Sequence, residues 1–470
     1  MKNKLIASVK EAVIAAGVKD GMTLSFHHHL RNGDYVLNMV MEAVAELGIK
    51  NLKLNVSSIF ECHKPLIEHI KNGVVTEIET DYMSGSVGRA ISEGIMEKPV
   101  IFRSHGGRPD AILSGESPID VAFVAAPTAD TMGNCSGKYG PSACGSIGYA
   151  FPDAMAAKKV VVITDNLVPY PLVDYSIEET YVDYVVKVDK IGDPSGIVSG
   201  TTKITRDPVG LMIARYAAKV IEHSGLLKDG FSFQTGAGGA SLAAAKFLKE
   251  IMLEKGIKGS YALGGITSYL VDMLNAGCFE ALMDVQCFDL GAIESIRTNP
   301  RHMEVSAQRY ASNFYKSSCV DSLDVVILGA TQIDTDFNVN VHTDSNGYIM
   351  GGSGGHSDTA AGAKLAMIVA PLSRARLSIV VDKVLTVSTP GKTIDVLVTQ
   401  HGIAVNPNRP ELKERLVNAG LPIVDIHDLK KMAEEITGVA EPIKTGDKVV
   451  AKVMYRDGTC IDEIKSVITK

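Results

Sequence analysis

The sequence predicts an α/β protein made of two similar open parallel-sheet α/β domains, and three observations lead to this fold class. The chain has 470 residues, so two domains of about 200 residues or more are expected in place of a single core. Short apolar runs, such as residues 159–163 and 325–328, alternate with helical patterns in both halves. That alternation is typical of parallel strands covered by helices. The two halves also repeat each other in sequence.

The repetition consists of matches that keep their order along the chain. The paired segments lie about 204 to 209 positions apart. We align residues 18–26 with 227–234, Asp120 with Asp324, and Lys159 with Lys364. Because several collinear matches outweigh chance, we interpret the chain as an internal duplication.

The duplication sets the expected domain boundaries. Residues 1–205 form the first predicted α/β domain, and residues 206–470 form the second. Asp207 followed by Pro208 signals the start of a helix, because aspartate caps a helix and proline suits its first turn. Ligands of open parallel sheets bind beyond the carboxyl ends of the strands, so the predicted site is the cleft between the two domains.

Composition excludes several classes of partner. The net charge of −7 is modest and provides no electrostatic footprint for nucleic acid or for an anionic membrane. Near the N-terminus, Leu5, Val9 and Val13 fall at helical spacing, which indicates an amphipathic helix and not a signal peptide. No uninterrupted apolar stretch reaches about 18 residues. We therefore expect a cytoplasmic protein.

The cysteines indicate neither a disulfide framework nor a zinc site. There are seven, which is an odd number, and no two are spaced as Cys-x-x-Cys. We expect reduced, mostly buried thiols.

A glycine-rich stretch at residues 351–358, called the glycine loop below, is the most informative local signal. An alanine-rich run at residues 359–365 follows it, so we expect a strand end, a loop and a helix beginning at about Ser357. Glycines let a ligand approach the main chain, and the first N–H groups of a helix are unpaired. Such groups suit the oxyanion of a tetrahedral acyl intermediate. A tight turn without a catalytic role is the alternative interpretation.

Two basic clusters lie in the first half of the chain, at residues 27–31 and 103–108. Arginine forks match carboxylate geometry, so clusters that face the glycine loop would bind a polycarboxylate. Solvated charged loops are the alternative. A metal site is not expected, because neighbouring residues on one loop point in different directions and no carboxylate stands at a recognised spacing.

A second glycine-rich segment, residues 236–241, begins like a dinucleotide-binding fingerprint. Ser241 occupies the place of the third glycine, so the motif is incomplete. A NAD-dependent dehydrogenase therefore stays an alternative of a different functional class.

Four segments together resemble the family of citrate lyase alpha subunits, and the resemblance extends along essentially the whole chain. They are residues 25–34, 103–109, 133–137 and 351–358. The wider relatives are CoA-transferases built from two similar open α/β domains. The resemblance implies a transferase that moves the thioester of an acyl carrier protein, or of CoA, from acetyl to citrate and releases acetate.

One departure from the wider relatives concerns the nucleophile. Covalent CoA-transferases carry a glutamate near the start of the segment that here spans residues 263–272, and this chain has Gly264 and Gly265 there. The resemblance implies that a carboxylate of citrate attacks the acetyl thioester directly, through a mixed anhydride in a ternary complex. It implies no tightly bound cofactor. CoA, or the CoA-type prosthetic group of an acyl carrier protein, is the thioester carrier and acts as co-substrate.

The resemblance and the local chemistry together define three sets of expected site residues. The expected catalytic set at the oxyanion hole is Gly354, Gly355 and His356. The expected citrate ligands are His29, Arg31, Arg103, His105 and Arg108. The expected contacts to the thioester carrier are Gly236, Ala237, Gly238, Gly239 and Ser353.

The same resemblance implies the partners. These are citrate, the acyl carrier protein (gamma) subunit and the beta lyase subunit of an oligomeric citrate lyase complex, with no nucleic acid and no membrane. A citramalate CoA-transferase subunit of citramalate lyase has the same chemistry and stays an alternative. A non-catalytic scaffold subunit is the third alternative.

Overall fold

A computed structural model describes residues 3–198, 203–236, 238–441 and 443–468 of the chain. Its strands are, in chain order, β1 (Leu5–Ile6), β2 (Thr23–Phe26), β3 (Leu52–Val56), β4 (Val75–Thr80), β5 (Val100–Phe102), β6 (Val121–Ala125), β7 (Thr128–Asp130), β8 (Cys135–Ser136), β9 (Lys159–Thr164), β10 (Leu167–Val168), β11 (Tyr184–Lys187), β12 (Ser232–Thr235), β13 (Gly259–Ile266), β14 (Phe279–Cys287), β15 (His302–Glu304), β16 (Val325–Leu328), β17 (Gln332–Asp334), β18 (Val339–Asn340), β19 (Leu365–Val369), β20 (Ser373–Arg374), β21 (Leu377–Ser378), β22 (Val380–Val381), β23 (Val396–Thr399), β24 (Gly402–Val405), β25 (Thr445–Met454) and β26 (Cys460–Val467).

The α-helices follow the same chain order. They are α1 (Val9–Ala15), α2 (Val36–Glu46), α3 (Leu66–Lys71), α4 (Gly85–Ser92), α5 (Gly107–Leu113), α6 (Ala150–Ala156), α7 (Pro208–His223), α8 (Gly239–Lys255), α9 (Ser268–Asn275), α10 (Leu290–Thr298), α11 (Ala307–Ala311), α12 (His356–Gly362), α13 (Pro410–Asn418) and α14 (Ile426–Thr437). Short 3₁₀ turns occur at Arg31–Gly33, Glu61–His63, Glu179–Tyr181, Pro194–Ile197, Cys319–Ser322 and Gly391–Thr393.

Two large, mostly parallel sheets organise the chain. The first has the strand order β1-β11-β9-β6-β2-β3-β4-β5-β25-β26, and the second has the order β15-β14-β13-β12-β16-β19-β23-β24. Only the pairs β25–β26 and β23–β24 are antiparallel within these two sheets of the described chain. Central strands such as β6 and β19 are buried along their whole length, which explains their continuous apolar sequence. The predicted α/β fold with parallel sheets is confirmed.

The duplication is visible in the sheet order. The run β4-β3-β2-β6-β9 of the first sheet has the same arrangement as β14-β13-β12-β16-β19 of the second. The same hydrogen bond recurs at the start of the central strand of each sheet. The Asp120 carboxylate accepts the Thr23 N–H at 2.8 Å, and the Asp324 carboxylate accepts the Ser232 N–H at 2.9 Å. The aligned aspartates therefore perform the same local task in both copies.

One detail of the repeat alignment needs a correction. Lys364 forms an ion pair with Asp324 at 2.7 Å, and the equivalent partner of Asp120 is Lys158, also at 2.7 Å. Lys159, which the sequence alignment matched to Lys364, pairs with Asp183 instead. The sequence alone does not show which of the consecutive residues Lys158 and Lys159 matches Lys364. In the structure, Lys158, which directly precedes β9, reaches Asp120.

The last two strands lie with the first sheet and not with the second. β25 pairs in parallel with β5, and β26 completes the edge as an antiparallel partner of β25. The sequence-based division placed these residues in the segment 206–470. The chain thus returns to the first sheet at its C-terminal end, and the proposed boundary between residues 205 and 206 stays a prediction.

Several local expectations are met. The Asp207 side chain accepts the Gly210 N–H at 2.9 Å, and Pro208 occupies the first turn of α7. All seven cysteines are free thiols, and four of them are buried. Among the described residues, no helix combines the length and apolar character needed to cross a membrane.

Candidate functional site

The glycine loop of the second half is seated on the first sheet. The Met83 N–H donates to the Gly351 carbonyl at 3.1 Å, and the Gly354 N–H donates to the Asp81 carbonyl at 3.2 Å. In return, the His105 N–H donates to the Gly354 carbonyl at 2.8 Å. Gly354 has a left-handed φ of +50°, which glycine adopts without strain. The loop therefore faces the ends of β4 and β5, as the cleft prediction requires.

A buried carboxylate adds hydrogen bonds to this contact between the two halves. Asp358, in the first turn of α12, accepts hydrogen bonds from the Ser104 hydroxyl at 2.8 Å and the Gly106 N–H at 2.9 Å. Burial raises the pKa of Asp358 to about 6, and Arg456 at 3.7 Å acts in the opposite direction. Asp358 thus ties the helix that follows the glycine loop to the helix that follows β5.

The predicted oxyanion donors differ in availability. The Gly354 N–H is used by Asp81, and the His356 N–H donates to the Ser353 carbonyl at 2.8 Å. In the described part of the chain, the Gly355 N–H has no hydrogen-bond acceptor. A free main-chain donor of this kind is what an oxyanion hole needs. Of the three predicted positions, Gly355 is the one whose N–H is available.

The side chains of His356 and Ser353 are engaged within the second half. His356 Nε2 donates to the Gly329 carbonyl at 2.9 Å, which leaves Nδ1 to accept from the Thr389 hydroxyl at 2.8 Å. Burial lowers the pKa of His356 to about 4, so its ring is neutral at pH 7. The Ser353 hydroxyl bonds to that of Ser357 at 2.9 Å. The His356 ring therefore supports the loop instead of pointing a free nitrogen at a ligand.

One wall beside Gly355 comes from the second sheet. A Cβ added to Gly355 would meet the Tyr310 hydroxyl, and the Gln234 amide donates to that hydroxyl at 3.0 Å. Gln234 in turn lies against Gly264, where an added Cβ would be 2.8 Å from the amide carbon. The neighbouring Gly265 lies against the Phe288 ring in the same way. The segment without a glutamate thus lines the wall next to the glycine loop.

The opposite wall is an aromatic stack from the first half. The Tyr149 ring packs against both His28 and His105, with centroid distances of 4.6 Å and 4.5 Å, and the two imidazoles are 6.0 Å from each other. Burial lowers the pKa of His27 to about 4 and holds the pKa values of His28 and His29 well below the usual range. His29 is fully buried and accepts the Tyr149 N–H at 3.2 Å. The imidazoles of His27, His28 and His29 are neutral packing groups, so they add no positive charge for a carboxylate.

Arg31 is the cation that this wall leaves available. Its guanidinium lies 4.7 Å from the Phe288 ring centroid and 5.7 Å from that of Phe60. One of its terminal nitrogens is buried and has no hydrogen-bond partner among the described residues. Burial lowers the pKa of Arg31, and the nearby hydroxyls of Tyr82 and Tyr149 act in the opposite direction. An unpaired buried guanidinium donor beside aromatic rings is suited to an anionic ligand.

Two other predicted citrate ligands have internal partners. Arg108 is 1% exposed and forms a bidentate pair with Asp153, both N–O distances being 2.8 Å. Arg103 is bound by Glu79 and, at 2.7 Å, by Glu116. A guanidinium this deeply buried must be neutralised by carboxylates. The structure therefore does not bring Arg103 and Arg108 to the cleft as free cations for citrate.

The predicted carrier-binding loop lies between β12 and α8. The Gly236 N–H donates to the Ile327 carbonyl at 2.9 Å, and the Gly239 carbonyl accepts the Thr205 N–H at 3.1 Å. Gly238 is the N-cap of α8. Ala237 lies outside the described residues. The loop thus follows the central strand of the second sheet, at the carboxyl end where ligands of such sheets bind.

Comparison with known proteins decides the family. The model of the family described as "Citrate lyase, alpha subunit (CitF)" matches residues 2–467. The citrate lyase alpha chain of Escherichia coli K12 is 51% identical over 464 residues, covering 99% of this chain and 91% of that one. The chain belongs to the citrate lyase alpha subunit family. The Klebsiella pneumoniae relative is also 51% identical, over 466 residues, covering 99% of this chain and 92% of its own length.

Solved structures agree with this family. A crystal structure from Streptococcus mutans, described as an alpha subunit of citrate lyase in complex with citrate, has a TM-score of 0.98 and 51% identity, covering 100% of this chain and 92% of that one. A malonate decarboxylase alpha subunit from Acinetobacter baumannii has a TM-score of 0.70 at 15% identity, covering 93% of each chain. The latter shows that the fold is shared.

One buried cluster of this family member has donors suited to a metal. Asp284 Oδ2 accepts from Cys287 at 2.9 Å and is 3.0 Å from His302 Nε2, and all three side chains are buried. His302 Nδ1 is held by the Ser295 hydroxyl at 3.0 Å. The sequence did not predict this cluster, because residues 284, 287 and 302 match no metal-binding spacing. Mutual hydrogen bonds engage Asp284 Oδ2, Cys287 and His302, whereas the buried Asp284 Oδ1 has no partner among the described residues.

Sequence reasoning also missed several residues that line the cleft. They are Asp81, Tyr82, Tyr149, Gln234 and Tyr310, which come from different strand ends and loops. None stands in a motif with its neighbours. The signal that could have identified one of them is the position directly after a strand, as for Asp81 after β4.

The Arg108–Asp153 pair provides a test of the structural role given to Arg108. Arg108→Met leaves Asp153 buried without a partner, so we expect a loss of about 3–5 kcal/mol in the free energy of unfolding. Arg89→Met is the control, because Arg89 and Glu93 form an exposed pair that contributes about 0–1 kcal/mol. Denaturant unfolding followed by circular dichroism measures both. Equal losses in the two variants would contradict the assignment.

Proposed function

We propose that the chain is the transferase component of citrate lyase. It exchanges acetyl for citryl on a thioester carrier, which produces citryl thioester and acetate. The cleft between the glycine loop and the first sheet is the site. The observation that carries the proposal is the contact of the glycine loop with the first sheet. Among the described residues, the Gly355 N–H of this loop and one Arg31 nitrogen have no hydrogen-bond partner.

The proposed substrate fits the charge of the cleft. Arg31 would bind one citrate carboxylate, and the hydroxyls of Tyr82 and Tyr149 would supply uncharged donors beside it. The Streptococcus mutans relative, described as a complex with citrate, supports the same ligand class for this chain. Citrate thus lies between the aromatic stack and the glycine loop.

Direct attack by citrate is the proposed chemistry. Gly264 and Gly265 line the wall where covalent relatives carry glutamate, so a carboxylate of citrate attacks the acetyl carbonyl and the thiolate leaves. The thiolate then attacks the citryl carbonyl of the mixed anhydride and acetate departs. The Gly355 N–H stabilises the oxyanion of each tetrahedral intermediate. Binding both substrates together supplies the remaining rate enhancement.

The acidic residues nearest this segment have structural roles, which supports the direct route. Asp272 pairs with Lys249 and Glu280 pairs with Lys258, both at 2.6 Å. Asp289 caps α10 through the Ala292 N–H at 2.9 Å. Asp284 belongs to the buried cluster with His302. No covalent intermediate is assigned to any of them.

The proposal includes the partners of a lyase complex. The thioester carrier is the CoA-type group of an acyl carrier protein (gamma) subunit, or CoA, and a beta subunit cleaves the citryl thioester. Gly236, Gly238 and Gly239, at the start of α8, are the proposed carrier contacts. We place the complex in the cytoplasm.

Initial-rate kinetics test the direct route. Both substrates must be bound before any bond changes, so double-reciprocal lines at varied citrate and acetyl thioester are expected to intersect. Mass spectrometry after hydroxylamine treatment is expected to show no modified carboxylate on the chain. Parallel lines with a trapped acyl-enzyme would indicate a ping-pong route. The same assay with citramalate, and without either acid, separates the sister transferase and a scaffold subunit from the proposed activity.

A second test concerns the oxyanion donor. Gly355→Ala places a Cβ against the Tyr310 hydroxyl and so displaces the loop N–H, for which we expect kcat to fall by about 10²–10³. Tyr310→Phe is the matched control and is expected to keep most activity. Combining both changes removes the hydroxyl from the collision and is expected to recover part of the loss. If Gly355→Ala keeps half the wild-type kcat, the N–H is not the donor.

A third test separates the arginines. Arg31→Ala is expected to weaken citrate binding by about 1.5–3 kcal/mol, because a charged hydrogen bond is lost, and to leave the KM for the thioester almost unchanged. Arg103→Ala is expected to lower the melting temperature and to affect both KM values alike, since its partners are Glu79 and Glu116. Steady-state kinetics and thermal unfolding distinguish the two. A citrate-selective defect in Arg103→Ala alone would reverse the assignment.

A further inference from the structure

His105 and Asp81 form a carboxylate–imidazole pair at the edge of the glycine loop. His105 Nδ1 is 3.0 Å from Asp81 Oδ2, and the Asp81 carboxylate is fully buried. Burial raises the pKa of Asp81, and the hydrogen bond from His105 acts in the opposite direction. A carboxylate bound at Nδ1 fixes the ring orientation and leaves Nε2 as the working nitrogen.

The Nε2 atom of His105 points toward the glycine loop. A Cβ added to Gly354 would lie 3.3 Å from Nε2, closer than any other part of the molecule. Within the described chain, Nε2 has no hydrogen-bond partner. Tyr149 packs on one side of the ring at 4.5 Å and restricts its rotation. The nitrogen is therefore held beside Gly354, the residue that precedes the proposed oxyanion donor Gly355.

The same three residues form a closed set of contacts. Asp81 binds the Gly354 N–H through its backbone carbonyl and His105 through its side chain, while the His105 N–H binds the Gly354 carbonyl. Any shift of the loop therefore moves the ring with it. The spacing between the oxyanion donor and Nε2 is set by these hydrogen bonds and not by a flexible side chain.

We propose that His105 is a catalytic acid–base that carries the proton of the thiol carrier during the exchange, with Asp81 as its positioning residue. This assignment rests on the proposed transferase function. It differs from the expectation that His105 binds a citrate carboxylate, and it explains why a buried carboxylate stands behind the ring.

The proton balances over the two half-reactions. As the citrate carboxylate attacks, the C–S bond breaks and the sulfur takes the proton from His105 Nε2. In the return step, neutral His105 removes that proton from the thiol, the thiolate attacks the citryl carbonyl, and acetate leaves. The enzyme ends with the imidazolium it began with, and no further reactant is needed. A positioned acid–base of this kind contributes about 10²–10⁴ in rate.

The pH dependence follows from the charges around the ring. Asp81, His28 and Tyr149 face it from the first half, and Asp358 faces it from α12. The proposed first step consumes a proton from His105 Nε2, so the kcat of the wild type is expected to fall with rising pH, and His105→Gln is expected to abolish that fall. Asp81→Asn changes the group bound at His105 Nδ1 and is therefore expected to move the pH at which kcat falls.

The experiment compares kcat, KM for citrate and the pH profile in wild type, His105→Gln and Asp81→Asn, using acetyl-CoA and the acetylated carrier subunit as thioesters. His105→Gln is expected to lose about 10²-fold or more in kcat, to keep KM for citrate, and to lose the fall with pH. His427→Gln changes an exposed histidine of α14 and is the matched control. Thermal unfolding confirms that each variant is folded.

Other results would overturn the proposal in recognisable ways. A higher KM for citrate with an unchanged kcat in His105→Gln would show that His105 binds citrate instead. An unchanged pH profile in both variants would exclude a proton role and leave a packing role. If His105→Gln fails to fold, the position of the pH limb in Asp81→Asn alone decides. Absence of any thioester exchange by the wild type would instead refute the proposed function itself.

Discussion

The hydrogen bonds between Asp81, Gly354 and His105 are the constraint on which the site depends. Two backbone hydrogen bonds, from Gly354 to Asp81 and from His105 to Gly354, hold a loop of the second half against two strand ends of the first. The side-chain bond between His105 and Asp81 links those two strand ends to each other. A rearrangement of the loop would break the two backbone bonds, and each donor and acceptor would then need a new partner. The Gly355 N–H, which has no acceptor among the described residues, and the ring of His105 are positioned by these contacts.

The duplication explains how a loop of one half comes to contact the sheet of the other. Each copy has the same strand order around its central strand and the same aspartate anchor beneath it, so each also has a loop and a helix at the equivalent edge. The copies have diverged at that position. The helix of the first copy supplies Asp153 to neutralise Arg108, and the helix of the second supplies Asp358 to bind the backbone of the first. The helix of the first copy therefore stabilises a buried arginine of its own half, whereas the helix of the second copy contacts the other half.

Electrostatics in the cleft depend on burial more than on the number of basic residues. Five histidines and arginines were expected to face a polycarboxylate, but burial neutralises the imidazole of His29 and carboxylates neutralise Arg103 and Arg108. Arg31 remains as a guanidinium with an unpaired donor. Among the described residues, Arg31 thus offers the cleft a free donor, and hydroxyls lie beside it. Such a site binds an anion with less desolvation cost than a cluster of bare charges would.

The sequence by itself determined the two parallel α/β sheets, the duplication, the cap of α7 and the loop and helix at residues 351–362. These features depend on periodicity, capping and glycine conformation, which act over a few neighbouring residues. The strand end expected before this loop is wrong, because Ile349 forms only an isolated β-bridge with Thr343. Only the tertiary structure decided that β25 and β26 return to the first sheet, that Arg108 is paired with Asp153, and that Asp81 stands behind His105. Those partners lie tens of residues apart or further, and burial of a charge forces a pairing that no local pattern records.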